Sequence, residues 1–78
     1  MAISEVEWLD IFSDNLRDMM KEWGHTQESL SDATGLSQAT ISRYLHKKQV
    51  PSCKALINLS YEFECSVDEL INYDDRID

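Results

Sequence analysis

The stretch Gln27-Glu28-Ser29-Leu30-Ser31-Asp32-Ala33-Thr34-Gly35-Leu36-Ser37-Gln38-Ala39-Thr40-Ile41-Ser42-Arg43-Tyr44-Leu45-His46 decides the fold of this chain. It reads as two short helices joined by Gly35-Leu36-Ser37. Thr26 stands where a hydroxyl caps the first helix, which runs through Thr34 with Leu30 and Ala33 facing inward. Ser31 is small where the two helices must approach closely. Gly35 supplies the positive φ that the turn requires, and Leu36 plugs the turn into the core. Ser37 caps the second helix, Gln38 to His46, with Ile41 and Leu45 inward at a step of four and Tyr44 beside them. Two helices on a three-residue, glycine-containing turn make a helix-turn-helix.

The flanks supply the rest of a core. Upstream, Leu9, Phe12, Leu16, Met19, Met20 and Trp23 recur at steps of three and four, one stripe of an amphipathic helix. Asp10, Asp14, Asp18 and Glu22 fall on its solvated side at steps of four. Ser4 fits its N-cap and Gly24 its left-handed stop, which places this helix at about 4–23. Downstream, Lys47 and Lys48 read as the last turn of the second hairpin helix, where cations suit the dipole. Pro51-Ser52 open a fourth helix whose apolar face is Ala55, Leu56, Leu59 and Phe63. Ser66-x-x-Glu69 has capping-box spacing, followed by Val67, Leu70 and Ile71 in a fifth, short helix. Residues 72–78 show no periodicity and read as a short acidic, frayed tail. The expectation is an all-α domain over residues 1–78 with its core at about 4–71. Leu16, Met20, Leu30, Leu36, Ile41, Leu45, Leu56 and Leu59 are expected in that core.

Composition narrows the function classes. Seventy-eight residues, 42% of them apolar, suffice for one small core but not for a core plus a deep, walled cleft. Two glycines and one proline are too few for an all-β sandwich or barrel. No Gly-x-Ser-x-Gly elbow or phosphate loop is present, so no enzyme is expected. Cys53 and Cys65 lie twelve apart without a Cys-x-x-Cys pair, and read as small buried hydrophobes. His25 and His46 add no zinc spacing, so no metal and no cofactor is expected. His25, in the turn after Gly24, reads as a surface residue. There is no run of 18 apolar residues, and the acidic start is followed by no apolar signal core. A cytoplasmic protein is the expectation.

Three segments together resemble a known family. They are Thr26-Gln27-Glu28-Ser29-Leu30-Ser31, then Gly35 through Leu45, then Pro51 with Ser66-Val67-Asp68-Glu69-Leu70. Over about residues 9–71 the chain resembles the lambda-repressor/Cro family, also called XRE-type helix-turn-helix. The resemblance implies a compact five-helix DNA-binding domain with a central helix-turn-helix. It implies sequence-specific binding of double-stranded DNA in the major groove, and transcriptional regulation, with repression the expected sense. It also implies a homodimer reading half-sites about 34–36 Å apart. The family's recognition helix matches Gln38 to His46, and its base-reading positions match Gln38, Ala39 and Arg43. Gln27 matches a phosphate-binding position, and Ser37, Thr40, His46, Lys47 and Lys48 are further phosphate contacts. Where many members carry an arginine and a glutamate as an ion pair, this chain has Met20 and Leu45. Two apolar residues that pack together are a neutral or stabilising replacement. Where the family often has Asn-Gly after the recognition helix, this chain has His46-Lys47.

The charge distribution agrees with the resemblance at a point that the average hides. The net charge is −8, yet residues 33–61 contain no acid and carry Arg43, Lys47, Lys48 and Lys54. Residues 1–32 hold eight acids and two bases, and residues 62–78 hold seven acids and one base. A surface that faces phosphates must be free of carboxylates and offer cations. On a helical wheel with Ile41 inward, the opposite arc carries Ala39, Ser42, Arg43 and His46, with Gln38 at the helix start, and Gln38, Ala39, Ser42 and Arg43 are the expected base-reading residues. Glutamine pairs bidentately with adenine, arginine with guanine, and an alanine methyl touches the thymine methyl. The competing reading is an acidic protein-interaction module, such as an antitoxin or antirepressor, favoured by the acidic ends. A membrane-surface helix is excluded because the polar face of the first helix is acidic. The dimer interface is expected around Val67 to Tyr73.

Overall fold

Every helix among the described residues begins on a hydroxyl. A computed structural model describes residues 4–71, and all five helices there are α-helical. They are α1 (Glu5–Trp23), α2 (Gln27–Thr34), α3 (Gln38–Leu45), α4 (Cys53–Glu62) and α5 (Val67–Leu70). Ser4, Thr26, Ser37, Ser52 and Ser66 are the N-caps, and each side chain accepts from the backbone N–H three residues on. Ser66 and Glu69 close the expected capping box, and Thr26 closes a second with Ser29. Gly24 and Gly35 terminate α1 and α2 in the left-handed region at φ 70° and 77°.

A Cβ at Gly35 would meet nothing within 4 Å. The expected cost of Gly35→Ala is therefore the backbone penalty alone, about 1–2 kcal/mol. A thermal melt checks it, and a variant as stable as the parent would show that the turn does not hold this φ.

The periodicity places the core where expected. Phe12, Leu16, Leu30, Ile41, Leu59 and Leu70 are wholly buried, and Met20, Tyr44, Leu45, Ala55, Leu56 and Phe63 join them in one cluster. Met20 and Leu45, at the positions of the family's ion pair, are both in this apolar cluster. Tyr44 meets the Phe12 ring edge to face at 5.6 Å, and Phe12 stacks on Trp8. Burial pushes the Tyr44 phenol up, against the opposing pull of Arg43 beside it, so the ring sits neutral in the core.

Two expected core positions differ. Ala33 is exposed, while Leu30 one turn before it is wholly buried and Asn58 Nδ2 of α4 donates to the Thr34 carbonyl at 3.4 Å. Leu36 is half-buried and packs against the cluster from its edge. Its backbone is held instead, the carbonyl by Ser31 Oγ at 2.6 Å and the N–H by Thr34 Oγ1 at 3.3 Å.

Polar side chains of α1 fix the other helices. Ser13, buried, donates to the Tyr44 carbonyl, and Arg17 Nη2 donates to the Leu45 carbonyl at 2.9 Å. These are among the last carbonyls of α3, which have no partner inside their own helix. Asn15 Nδ2 donates to the Leu70 carbonyl at 2.9 Å and ties down α5 in the same way.

Three further expectations are corrected. His25 is not a surface residue, for its side chain is only 13% exposed. Nδ1 lies 2.8 Å from Ser29 Oγ, Nε2 lies 2.7 Å from Glu62 Oε2, and the ring stands edge-on to Phe63. Of the two cysteines expected as buried hydrophobes, only Cys65 packs against the core. Cys53 is exposed as the first residue of α4, and Cys65 is half-buried, where burial pushes its thiol up. Lys47 and Lys48 are not the last turn of α3, which stops at Leu45 with His46 as its C-cap. The expected tail, residues 72–78, lies outside the described residues. Among the described residues, no helix is long and apolar enough to cross a membrane.

Candidate nucleic-acid interface

The period of α3 divides its residues between core and solvent. Ile41, Tyr44 and Leu45 are buried, so the rotation of the helix is fixed. Gln38, Ala39 and Arg43 are then exposed, and Ser42 and Thr40 are half-buried beside them. The four expected base-reading residues, Gln38, Ala39, Ser42 and Arg43, thus stand on one helix away from its core face. The first turn of α3 contains no acid. Its positive dipole end is uncompensated by any carboxylate of its own helix.

Hydrogen bonds order this surface. Ser37 Oγ accepts from the Thr40 N–H at 3.0 Å and donates to Thr40 Oγ1 at 2.8 Å. Arg43 Nη2 also donates to Thr40 Oγ1, at 3.3 Å, and Arg43 Nε donates to Gln49 Oε1 at 2.7 Å. His46 folds back on α3, its Nδ1 2.8 Å from the Ser42 carbonyl oxygen.

The expected phosphate contacts do not share one environment. Ser37, His46 and Lys48 are exposed around α3, and Gln27 is half-buried as the first residue of α2. Lys47 points elsewhere. Its backbone takes φ 60°, and its ammonium pairs with the Asp10 carboxylate, with Asp14 at 4.0 Å. The hydrogen bond to Asp10 raises its pKa above the ordinary lysine value, so it stays charged while paired with α1. Lys48 and Lys54 are exposed, and neither forms an ion pair with a described residue. No group of three or more His, Cys, Asp or Glu among the described residues is arranged to hold a metal.

Three participants were not visible in the sequence. Gln49 lies in the irregular segment after α3, where no period predicts which side chain turns back. Asp10 and Asp14 were read only as a solvated stripe, since their cationic partner is remote in the chain.

Comparison with known proteins agrees with this geometry. The family model for the Cro/C1-type HTH DNA-binding domain matches residues 15–76, which is most of the chain. No curated protein and no solved structure matches it significantly. With five capped helices among the described residues, no carboxylate on α3 and this match over most of its length, the chain belongs to the Cro/C1-type helix-turn-helix DNA-binding domains.

Proposed function

We propose that this protein is a sequence-specific transcriptional regulator, a repressor, that lays α3 in the major groove of double-stranded DNA. The observation that carries the reading is the solvent face of α3. Gln38, Ala39, Ser42 and Arg43 stand exposed or half-exposed there, inside a 29-residue window without an acid, residues 33–61. Those types suit base edges: amide to adenine, guanidinium to guanine, methyl to thymine. Ser37, Thr40, His46 and Lys48 are the phosphate contacts around the helix, with Gln27 at the start of α2. Lys47 contributes least, because Asp10 already holds its charge. Repression needs no contact beyond DNA, since a bound protein excludes polymerase from the same site.

The reading includes a homodimer, which matches a two-fold site on DNA. The part of α5 expected as its interface is spent elsewhere: Leu70 is wholly buried, and Val67 and Ile71 pack against the core. Tyr73 lies outside the described residues. α4, by contrast, leaves Ile57 and Tyr61 exposed one turn apart, which is the apolar surface a second copy would cover.

Selection from random-sequence double-stranded DNA, followed by gel shift, tests the whole reading. The expected result is a two-fold motif with half-site centres about 34–36 Å apart, or a multiple of that spacing. Affinity is expected to fall steeply between about 50 and 200 mM salt. No selected motif at any salt would overturn the reading in favour of a protein-interaction module.

A further inference from the structure

Arg43 does not wave freely from α3. A guanidinium carries five N–H donors, one on Nε and two on each terminal nitrogen. Two are committed in the free protein, Nε to Gln49 Oε1 at 2.7 Å and one Nη2 hydrogen to Thr40 Oγ1 at 3.3 Å. Both anchors are themselves held. Thr40 Oγ1 accepts from Ser37 Oγ, the N-cap of α3. Gln49 is half-buried, and the segment that carries it is returned to the helix by the Lys48 N–H, which donates to the Arg43 carbonyl at 2.8 Å. The unusual φ of Lys47 belongs to the same return.

We infer that Gln49 is a positioning residue for base recognition: it fixes Arg43 so that the Nη1 and Nη2 end of the guanidinium meets a guanine O6 and N7 end-on. Three donors are left over, both hydrogens of Nη1 and one of Nη2, and one hydrogen from each of these nitrogens forms the parallel, end-on pair that matches two acceptors on one base edge. Rotamer freedom is then lost on folding rather than on binding, and preorganised contacts discriminate better than loose ones. The inference rests on the proposed reading in which Arg43 faces a base.

The test titrates Gln49→Met, Gln49→Glu, Arg43→Ala and the double variant Arg43→Ala/Gln49→Met against the selected site and its single-base variants. Methionine keeps the length of glutamine and removes the acceptor. Gln49→Met is expected to lower the preference at the Arg43-read base pair about fivefold or more, the lower end of what a bidentate pair supplies. Its melting temperature and its affinity for sites already lacking that guanine stay at the parent's values. Gln49→Glu restores the acceptor, so it keeps the base preference while its added negative charge weakens all sites alike. The double variant shows no loss of preference beyond Arg43→Ala. If Gln49→Met weakens every site variant equally, Gln49 is a backbone or folding contact and the inference falls while the Arg43 reading stands. If Gln49→Met still costs base preference in the Arg43→Ala background, Gln49 reads a base itself and the positioning role is wrong. If Arg43→Ala leaves every base preference unchanged, the underlying reading of Arg43 falls and takes the inference with it.

Discussion

Ile41→Ala is expected to destabilise the protein by about 2–5 kcal/mol. Ile41 is wholly buried, and it is the side chain that sets the rotation of α3 about its axis. The cavity left by the lost atoms cannot easily collapse. α3 is held at its C-terminal end by Ser13 and Arg17 of α1, and the Phe12 ring of α1 packs on its Tyr44. A domain of this size shifts its melting temperature by about 4–8 °C per kcal/mol, so a drop of roughly 8–40 °C is expected in a circular-dichroism melt. Small domains have a total stability of only about 5–15 kcal/mol, which makes partial unfolding at growth temperature part of the expected result. Ala39→Ser, two residues away on the exposed side, is the control and should stay within about 0.5 kcal/mol of the parent. Equal stability of Ile41→Ala and the parent would show that α3 is rotated from this placement, and its DNA face with it.

The second large effect separates the residue that reads from the residues that hold. Arg43→Ala is expected to cost about 1–3 kcal/mol on the best site and to relax the preference at one base pair, a guanine. Lys48→Ala is expected to weaken all sites about equally and to reduce the logarithmic salt slope by about 1. Lys47→Ala is expected to change that slope less than Lys48→Ala does, because the Lys47 ammonium is already paired with Asp10. The three variants are titrated on the selected site and its single-base variants at several salt concentrations. A uniform loss for Arg43→Ala would make it a phosphate contact. Equal slope changes for Lys47 and Lys48 would mean that Lys47 leaves Asp10 on binding DNA.

The exposed face of α3 was legible before any coordinates. Placing Ile41 and Leu45 inward leaves Ala39 and Arg43 outward by the period of the helix alone, and the structure has them exposed. What the wheel does not show is the state of each side chain. Arg43 and Lys47 look alike on paper as outward cations. One is braced by Gln49 and Thr40 with its terminal donors remaining, while the other is turned onto α1.

The sequence by itself determined the five helices, their N-caps, the two glycine stops and most of the core. A cap is a contact over three residues, and a glycine C-cap is a property of one residue's backbone, so Ser4, Thr26, Ser37, Ser52, Ser66, Gly24 and Gly35 announce themselves locally. The core follows from a period of 3.6, which repeats within each helix. Only the tertiary structure decided which polar groups meet. His25 finds Glu62 thirty-seven residues away, and Lys47 finds Asp10 across the junction of α3 with α1. Ala33 faces outward although Leu30, one turn before it, is wholly buried. These outcomes depend on how the helices lie against one another, and no spacing along the chain encodes that. A helix can be specified by its own residues, whereas an ion pair or a braced arginine needs two segments placed to within a few tenths of an ångström.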